Sequence, residues 1–361
     1  MSKLAEKIRK EIGTKGIVSF ARFMELALYA PTLGYYERER QRVGRAGDFY
    51  TSVSVGSLFG ELLAFQFAEW LEAGPREKCQ WVEAGAHDGK LASDILSHLH
   101  QFRPQIFERI EYCIIEPSPA RQQWQRKLLA AFDGKVRWFD SLAALPTVRG
   151  VIFSNELLDA FPVHRVGWDA AAQQWFEWGV RWEDERFVWA RMVEAAAKAV
   201  RSQTLQVPRE LRAVLPDGFT TEIAPAAAEW WSAAANKLES GRLVTVDYGF
   251  RAEEFYAPHR ANGTVRAYAQ HRVCEDPLAD PGEQDLTASV NFTVLQMMGE
   301  LVGLTTEPLT PQARFLTEIF ARTLEAKDRF PEWSPARVRQ FQTLTHPEHL
   351  GRPFHVLVQS R

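Results

Sequence analysis

The chain has 361 residues, 46% of them apolar and 25% charged, with a formal net charge of −3. That length allows one large or two medium domains around a substantial core, and the near-neutral charge argues against broad nucleic-acid affinity. Cys79, Cys113 and Cys274 are scattered with no CxxC pair, which argues against a disulfide framework or a zinc site and fits a reducing compartment.

The N-terminal run MSKLAEKIRKEIGTKG is an amphipathic helical start carrying both charge signs. It lacks the apolar core of a secretory signal, its glutamates count against a transit peptide, and no segment approaches the roughly 18 apolar residues of a membrane helix. A cytoplasmic location without membrane insertion is the expectation, with a mature organellar protein as the alternative. Leu4, Ile8 and Ile12 recur at helical spacing, Ser19 is placed to cap a helix ending near Tyr29 before Pro31, and Leu58, Leu62 and Phe65 mark a helix stopping before Gly74-Pro75. Residues 1–75 therefore read as a helical N-terminal extension.

An alternating pattern follows. Strands are expected at 80–85, 111–116, 135–140 and 150–155, with helices at 89–100 and 118–132. Strands alternating with helices imply an α/β fold whose parallel sheet is covered on both faces, and ligands then sit beyond the carboxyl ends of the strands. The segment 163–200 changes texture to two or three antiparallel strands with turns at Asp169 and Glu183-Asp184, an insertion spanning about 163–215 within a domain covering 76–361. A helix at 222–239 and a strand at 241–247 resume the α/β pattern. A loop-rich substrate region is expected at about 250–295, and a final strand near 354–359.

The most informative run is Trp81–Asp94, WVEAGAHDGKLASD: an apolar strand, a glycine-containing turn, then a helix. Such a turn brings bare backbone to a ligand at a helix N-terminus. One strand later, Tyr112-Cys113-Ile114-Ile115 ends in Glu116, an acid at the distance suited to a ribose diol. Together they point to a nucleoside-containing ligand. The turn lacks the third glycine of the dinucleotide pattern, which disfavours a nicotinamide-dependent oxidoreductase. The form acid-x-Gly-x-x-x-Gly is closer to the first motif of S-adenosylmethionine (SAM) methyltransferases.

Further segments carry a more specific resemblance. They are Gly34-Tyr35-Tyr36, GDFYTS at 47–52, LFGELLA at 58–64, the glycine turn at 83–91, IEPSP at 115–119 and SNELLDAFPVHR at 154–165. VDYG at 246–249, GTVRAYAQHR at 263–272, DLTASVNF at 285–292 and TPQARFL at 310–316 complete the ordered set. With these the chain resembles the MidA-like family, whose mitochondrial members are complex I assembly methyltransferases. The resemblance implies a Rossmann-type core with a mostly parallel seven-stranded sheet, and S-adenosyl-L-methionine as methyl donor. Carried over by position, Glu83, Gly85, Ala86 and Gly89 shape the methionine pocket. Glu116, followed by Pro117 and Ser118, takes the ribose hydroxyls, and Asp140, Ser141 and Leu142 lie near the adenine. Gly47, Asp48, Phe49, Thr51 and Ser52 close the pocket from the N-terminal side. Each acid also has a plainer reading: Asp48 as a turn cap, Glu116 as a helix cap, Asp140 as a strand-end acid. His87 stands where family members usually show a second turn glycine, Val53-Ser54 where Pro-Glu is frequent, and Ser289 and Asn291 where His and Asp are common.

Methyl transfer from a sulfonium is an in-line displacement that asks the protein for alignment and dehydration. The catalytic candidates are Asn155, Glu156 and Asp159, which follow a strand and so lie at the ligand edge. Asn155 would orient the incoming group. Glu156 would hold a cationic acceptor, and bidentate pairing of carboxylate with guanidinium favours arginine. Glu222 is the candidate second glutamate, or else a first-turn acid favoured by the helix dipole. Asp247 and His271 are further site candidates, and Asp285, Thr287 and Asn291 a wall of the pocket. The tryptophans at 168–189 and Trp230-Trp231 read as packing. The implied partner is a protein substrate, an arginine of a respiratory complex subunit, with homodimerisation through the apolar N-terminal helices. A non-catalytic assembly factor on the same fold is the alternative.

Overall fold

A computed structural model describes residues 1–38, 51–73, 78–192, 207, 212–269, 272–351 and 353–361. The chain opens with α1 (Lys3–Lys15), the two-residue β1 (Val18–Ser19) and α2 (Phe20–Tyr29), in which the Ser19 hydroxyl caps α2 by accepting from Arg22 N. The apolar faces of both helices are spent inside the chain. Leu4, Ile8, Ile12, Phe20, Phe23 and Met24 are buried in one cluster with Val180 and Phe187. The apolar stripe expected to support a homodimer is thereby covered from within.

Helix α3 (Leu58–Glu72) is buried almost all round and lies against α4 (Lys90–Phe102). Gly60 allows the approach, since a Cβ there would stand 2.7 Å from Asp94 Cβ. The central sheet is built from β2 (Cys79–Ala84), β3 (Ile110–Ile115), β4 (Val136–Phe139), β5 (Val148–Asn155) and β10 (Leu238–Phe250), all parallel in the order β4–β3–β2–β5–β10. The final strand β17 (Phe354–Ser360) closes the far side antiparallel to β10. Two-residue strands β14 (Val290–Asn291), β15 (Thr305–Thr306) and β16 (Thr310–Pro311) pair at its margins. Between the core strands run α5 (Pro104–Arg109), α6 (Pro119–Leu128) and α7 (Pro225–Lys237), and α8 (Phe292–Leu301) packs against α7. This is the Rossmann-type arrangement expected, with near-continuous apolar strands because both faces are covered.

Three strands of the 163–200 segment form as expected: β6 (His164–Asp169), β7 (Gln174–Glu183) and β8 (Arg186–Met192). They belong to a second, antiparallel sheet completed by β1 and by β9 (Thr220–Ile223). Strand β9 corrects the helix expected at 222–239. β-Branched Thr220, Thr221 and Ile223 pair with β6, and the helix starts only at Pro225, whose fixed φ suits a first turn. A third small sheet joins β11 (Arg266–Ala269), β12 (Arg272–Cys274) and β13 (Asp285–Thr287). Among the described residues no helix is long and apolar enough to cross a membrane.

Register sets the site. Phe139 lies beside Ile115, Ile115 beside Ala84, Ala84 beside Ser154 and Ser154 beside Thr245. The next residue along each of the first four strands is therefore Asp140, Glu116, Gly85 or Asn155, one row at the carboxyl edge of the sheet.

Candidate active site

Two adjoining hollows open beyond that row. The larger, about 420 Å³, is lined by Glu116, Pro117, Arg121, Asp140, Ser141, Leu142, Phe161 and Trp230 among others. It falls within the roughly 300–1,000 Å³ usual for small-ligand sites. The smaller, about 120 Å³, is lined by Glu83, Ala86, Thr51, Asn155, Asp159, Asp285 and Thr287 among others. Tyr36, Gly85, His87 and Glu156 line both and so form the junction.

The turn after β2 is a run of left-handed conformations: Gly85 has φ 76°, His87 φ 47° and Gly89 φ 91°. A Cβ on Gly85 would stand 2.8 Å from Leu157 Cδ1, so glycine keeps the backbone bare where the hollows meet. His87 adopts this region without glycine's freedom, at a cost of about 1–2 kcal/mol. Its carbonyl accepts from Gln125 Nε2 at 2.9 Å, which holds the turn in place. Gly89 lines neither hollow. It occupies the N-cap position of α4 with its α-carbon facing Gln125, a packing role.

Glu116 is buried at 1% exposure. Its Oε1 accepts from Ser118 N at 2.9 Å, its Oε2 accepts from Gln125 Nε2 at 3.1 Å, and Arg121 Nη2 lies 3.2 Å away. Burial raises its pKa, with Arg121 opposing. Ser118 is buried below the hollow, where its hydroxyl bonds Glu37 and caps α6. Asp140 accepts from Gln122 Nε2 at 2.8 Å. Phe161 and Trp230, rings 6.2 Å apart at 60°, add an apolar wall near Leu142. Trp230 thus lines the cofactor-sized hollow as well as packing, whereas Trp231 is wholly buried.

At the junction, Glu156 has φ 50°, a left-handed conformation unusual outside glycine and of the kind found at functional sites. Its backbone N donates to Val246 O, and its Oε1 accepts from Ser52 N at 3.2 Å and from Asn155 Nδ2 at 3.0 Å. Burial pushes its pKa up to about 8, with nearby Asp159 adding to the shift. Burial likewise takes Glu83, which accepts from the Tyr112 hydroxyl at 2.6 Å, up to about 8. Asp159 is 5% exposed and raised well above the ordinary carboxylate range, by burial first and then by Asp247 and Asp285. Thr51 lines the smaller hollow. Ser52 is buried beside it, its hydroxyl donating to Gln312 Oε1.

Other expectations fall differently. Glu222 sits on β9, lines neither hollow, and is held at Oε2 by Thr264 N (2.7 Å) and Thr264 Oγ1 (2.9 Å), with Arg165 Nε 3.8 Å from Oε1. It is therefore not brought beside Glu156. Asp247 also stands off the hollows. Its Oδ2 accepts from Leu158 N at 3.0 Å and so fixes the turn after β5. Asn291 caps α8 by accepting from Val294 N and is not a wall residue, whereas Asp285 and Thr287 are. Gly47, Asp48, Phe49 and His271 lie outside the described residues. Sequence reasoning missed Tyr29, Arg38 and Arg121, which line the hollows. It quoted Tyr36 only within Gly34-Tyr35-Tyr36, and that motif was the available signal.

The residues present fit a SAM-type cofactor. Glu116 is a buried carboxylate at a strand end, Gly85 leaves backbone bare at the junction, and Asn155 Oδ1 is buried with no hydrogen-bond partner among the described residues. Comparison with known proteins agrees. Residues 62–310 match the family model of S-adenosyl-L-methionine-dependent methyltransferases. A Burkholderia thailandensis protein crystallised with S-adenosyl-homocysteine superposes with a TM-score of 0.82 at 32% identity, covering 99% of this chain and 92% of that one. The mitochondrial protein arginine methyltransferase NDUFAF7 homolog of Drosophila melanogaster is 27% identical over 396 residues, covering 98% of this chain and 84% of the relative. Protein arginine methyltransferase NDUFAF7 of Homo sapiens is 25% identical over 377 residues, covering 95% of this chain and 80% of the relative. The row of strand-end residues, the bare glycine turn and these matches converge: the chain belongs to the S-adenosyl-L-methionine-dependent methyltransferase family and uses S-adenosyl-L-methionine as its cofactor.

Proposed function

We propose that the protein methylates a guanidino nitrogen of an arginine in a protein substrate. The observation that carries this reading is Glu156, a buried carboxylate held by Ser52 N and Asn155 Nδ2 where the two hollows meet. The names of the Drosophila and human relatives support it. The bound cofactor supplies an electrophilic methyl group on its sulfonium. Glu156 pairs with the guanidinium and aligns one nitrogen with that methyl, a geometry a planar five-donor group satisfies better than an ammonium. The cofactor would give up its methyl group with the C–S electron pair left on sulfur, and the newly methylated nitrogen would shed a proton. Glu156, ionised by its pairing with the guanidinium, is placed to receive it. Gly85, Glu116, Asp140, Ser141 and Leu142 hold the nucleoside and methionine parts, and the Phe161–Trp230 wall keeps water out.

The acceptor we favour is an arginine on a respiratory complex subunit, on the ground of the MidA-like resemblance. The scattered cysteines favour a reducing, cytoplasmic location, and the apolar periodicities favour a helical extension at 1–75 before a methyltransferase domain at 76–361. The test is methyl-labelled SAM with arginine-containing and lysine-containing peptides, read by mass spectrometry. Label on arginine is expected, lowered on the order of a hundredfold in kcat by Glu156→Gln with SAM affinity retained. Label on lysine alone, or full arginine methylation by Glu156→Gln, would overturn the reading.

A further inference from the structure

We propose that Asp285 and Asp159 form a second carboxylate seat for the cationic acceptor, facing Glu156, with the Tyr36 hydroxyl as its positioning group. This rests on the arginine reading and names the groups that recognise the substrate.

Asp285 ends up in the hollow because β13 pairs with β11, and it is only 6% exposed. Its Oδ1 accepts from Tyr36 Oη at 2.7 Å, a contact bridging 249 positions of sequence. Tyr36 is itself braced. Its ring stacks on Tyr29 at 5.6 Å and 27°, and the Tyr29 hydroxyl donates to Ala160 O at 2.9 Å. Asp159 reaches the same hollow from the turn after β5, and Ala288 N donates to its carbonyl at 2.9 Å, tying that turn to the end of β13. Asp285 is thus held by a tyrosine contact, and the turn that carries Asp159 by a backbone contact.

With Glu156 they form a cluster of buried carboxyl groups. Asp159 is 5% exposed, and its Oδ1 has no hydrogen-bond partner among the described residues; Thr287 Oγ1, on the same wall, has none either. Arg38, the guanidinium on this wall, is already engaged by Glu283 and by the Leu33 carbonyl. Ionising buried carboxyls without a cation is costly, so such a cluster is suited to a cationic guest that lets them ionise. A guanidinium presents donors on more than one edge of a plane, and can bond Glu156 on one edge while meeting Asp285 and Asp159 on another. Glu222, the glutamate expected to fill this second position, is occupied elsewhere on β9.

The test uses the full chain with SAM and an arginine peptide, comparing wild type with Asp285→Asn, Asp159→Asn and Tyr36→Phe. Each Asp→Asn change is expected to raise the peptide KM on the order of tenfold or more while leaving calorimetric SAM affinity as in wild type. Tyr36→Phe is expected to raise KM less, with kcat retained. An unchanged peptide KM in both Asp variants overturns the seat. So does a loss of SAM affinity in them, which would assign these acids to the cofactor's α-ammonium instead. Should Asp285→Asn fail to fold, as judged by circular dichroism, Asp159→Asn and Tyr36→Phe decide the matter by the same readouts. If wild type methylates no arginine peptide, the arginine reading falls separately, and binding of N-acetyl-arginine amide to the wild-type and Asn variants still decides the seat.

Discussion

Gln125 and Glu116 are joined by a hydrogen bond of 3.1 Å from Gln125 Nε2 to Glu116 Oε2, and the same amide nitrogen donates to His87 O at 2.9 Å. One wholly buried side chain thus ties the glycine turn to the acid assigned to the ribose, while its Oε1 accepts from Trp138 Nε1 at 3.0 Å. Gln125→Leu removes all three bonds at nearly constant volume. Unfolding stability should fall by about 2–3 kcal/mol because buried groups lose partners. SAM affinity should fall with it, as read by thermal melts and calorimetry. Unaltered SAM affinity would show that the turn holds its shape without this tie.

Glu116→Ala should weaken SAM by about 1.5–3 kcal/mol, or roughly 10- to 150-fold, the range for hydrogen bonds to a charged group. Glu116→Gln should lose less, since the amide oxygen still accepts from Ser118 N or a ribose hydroxyl. Equal affinities for wild type and Glu116→Ala in a calorimetric titration would remove Glu116 from the cofactor site.

Gly85→Ala places a methyl 2.8 Å from Leu157 Cδ1 on a backbone with φ 76°. The leucine end can yield, so the cost is chiefly conformational, about 1–2 kcal/mol of stability. The added methyl also narrows the junction of the hollows, so methyl transfer should suffer beyond the stability loss. A variant as active as wild type at a temperature where both are folded would count against the junction as the path of the methyl group.

Glu83, Glu156 and Asp247 are each pushed up to about 8 by burial. Unfolded, such groups titrate near 4. Between about pH 5 and 7.5 the folded protein therefore holds protons that the unfolded chain has released, and stability must fall as pH rises. Each group contributes at most about 1.4 kcal/mol per pH unit. The Tm of the cofactor-free protein should decline across that window, and Glu156→Gln should flatten the decline. A Tm that climbs from pH 5 to 7.5 would refute the assignment.

Binding of a cationic acceptor reverses this balance. Guanidinium stabilises the ionised form of Glu156, so an arginine peptide should bind with proton release at pH 7 and more tightly as pH approaches 8. Calorimetry in buffers of differing ionisation enthalpy measures the protons directly. Binding without proton release would mean that Glu156 stays protonated in the complex.

Much of this was legible before any coordinates. The apolar runs before Gly85, Glu116, Asp140 and Asn155 announce parallel strands, and their register brings those residues into one row. The ligand row of a doubly wound sheet follows from local patterning alone. What escaped depends on distant pairing. Strand β9 is four residues long and joins β6 across more than fifty positions, so Thr221-Glu222-Ile223 before an alanine-rich helix looked like that helix's first turn. The smaller hollow gathers Tyr36, Asp159 and Asp285 from three separate segments, and no spacing within one segment records that. Trp230 sits beside Trp231 on α7, yet one faces the hollow and the other the core.

The two hollows are also completed at different points along the chain. Among the described residues, every one lining the larger hollow lies between Tyr29 and Trp230, whereas the smaller one includes Asp285 and Thr287. During vectorial synthesis the described walls of the larger hollow emerge before the last walls of the smaller one. A polypeptide stopped short of β13 carries the described walls of the larger hollow but lacks Asp285 and Thr287 of the smaller one. The smaller hollow is therefore the later of the two to gain its walls, and the central sheet itself is finished later still, when β17 emerges.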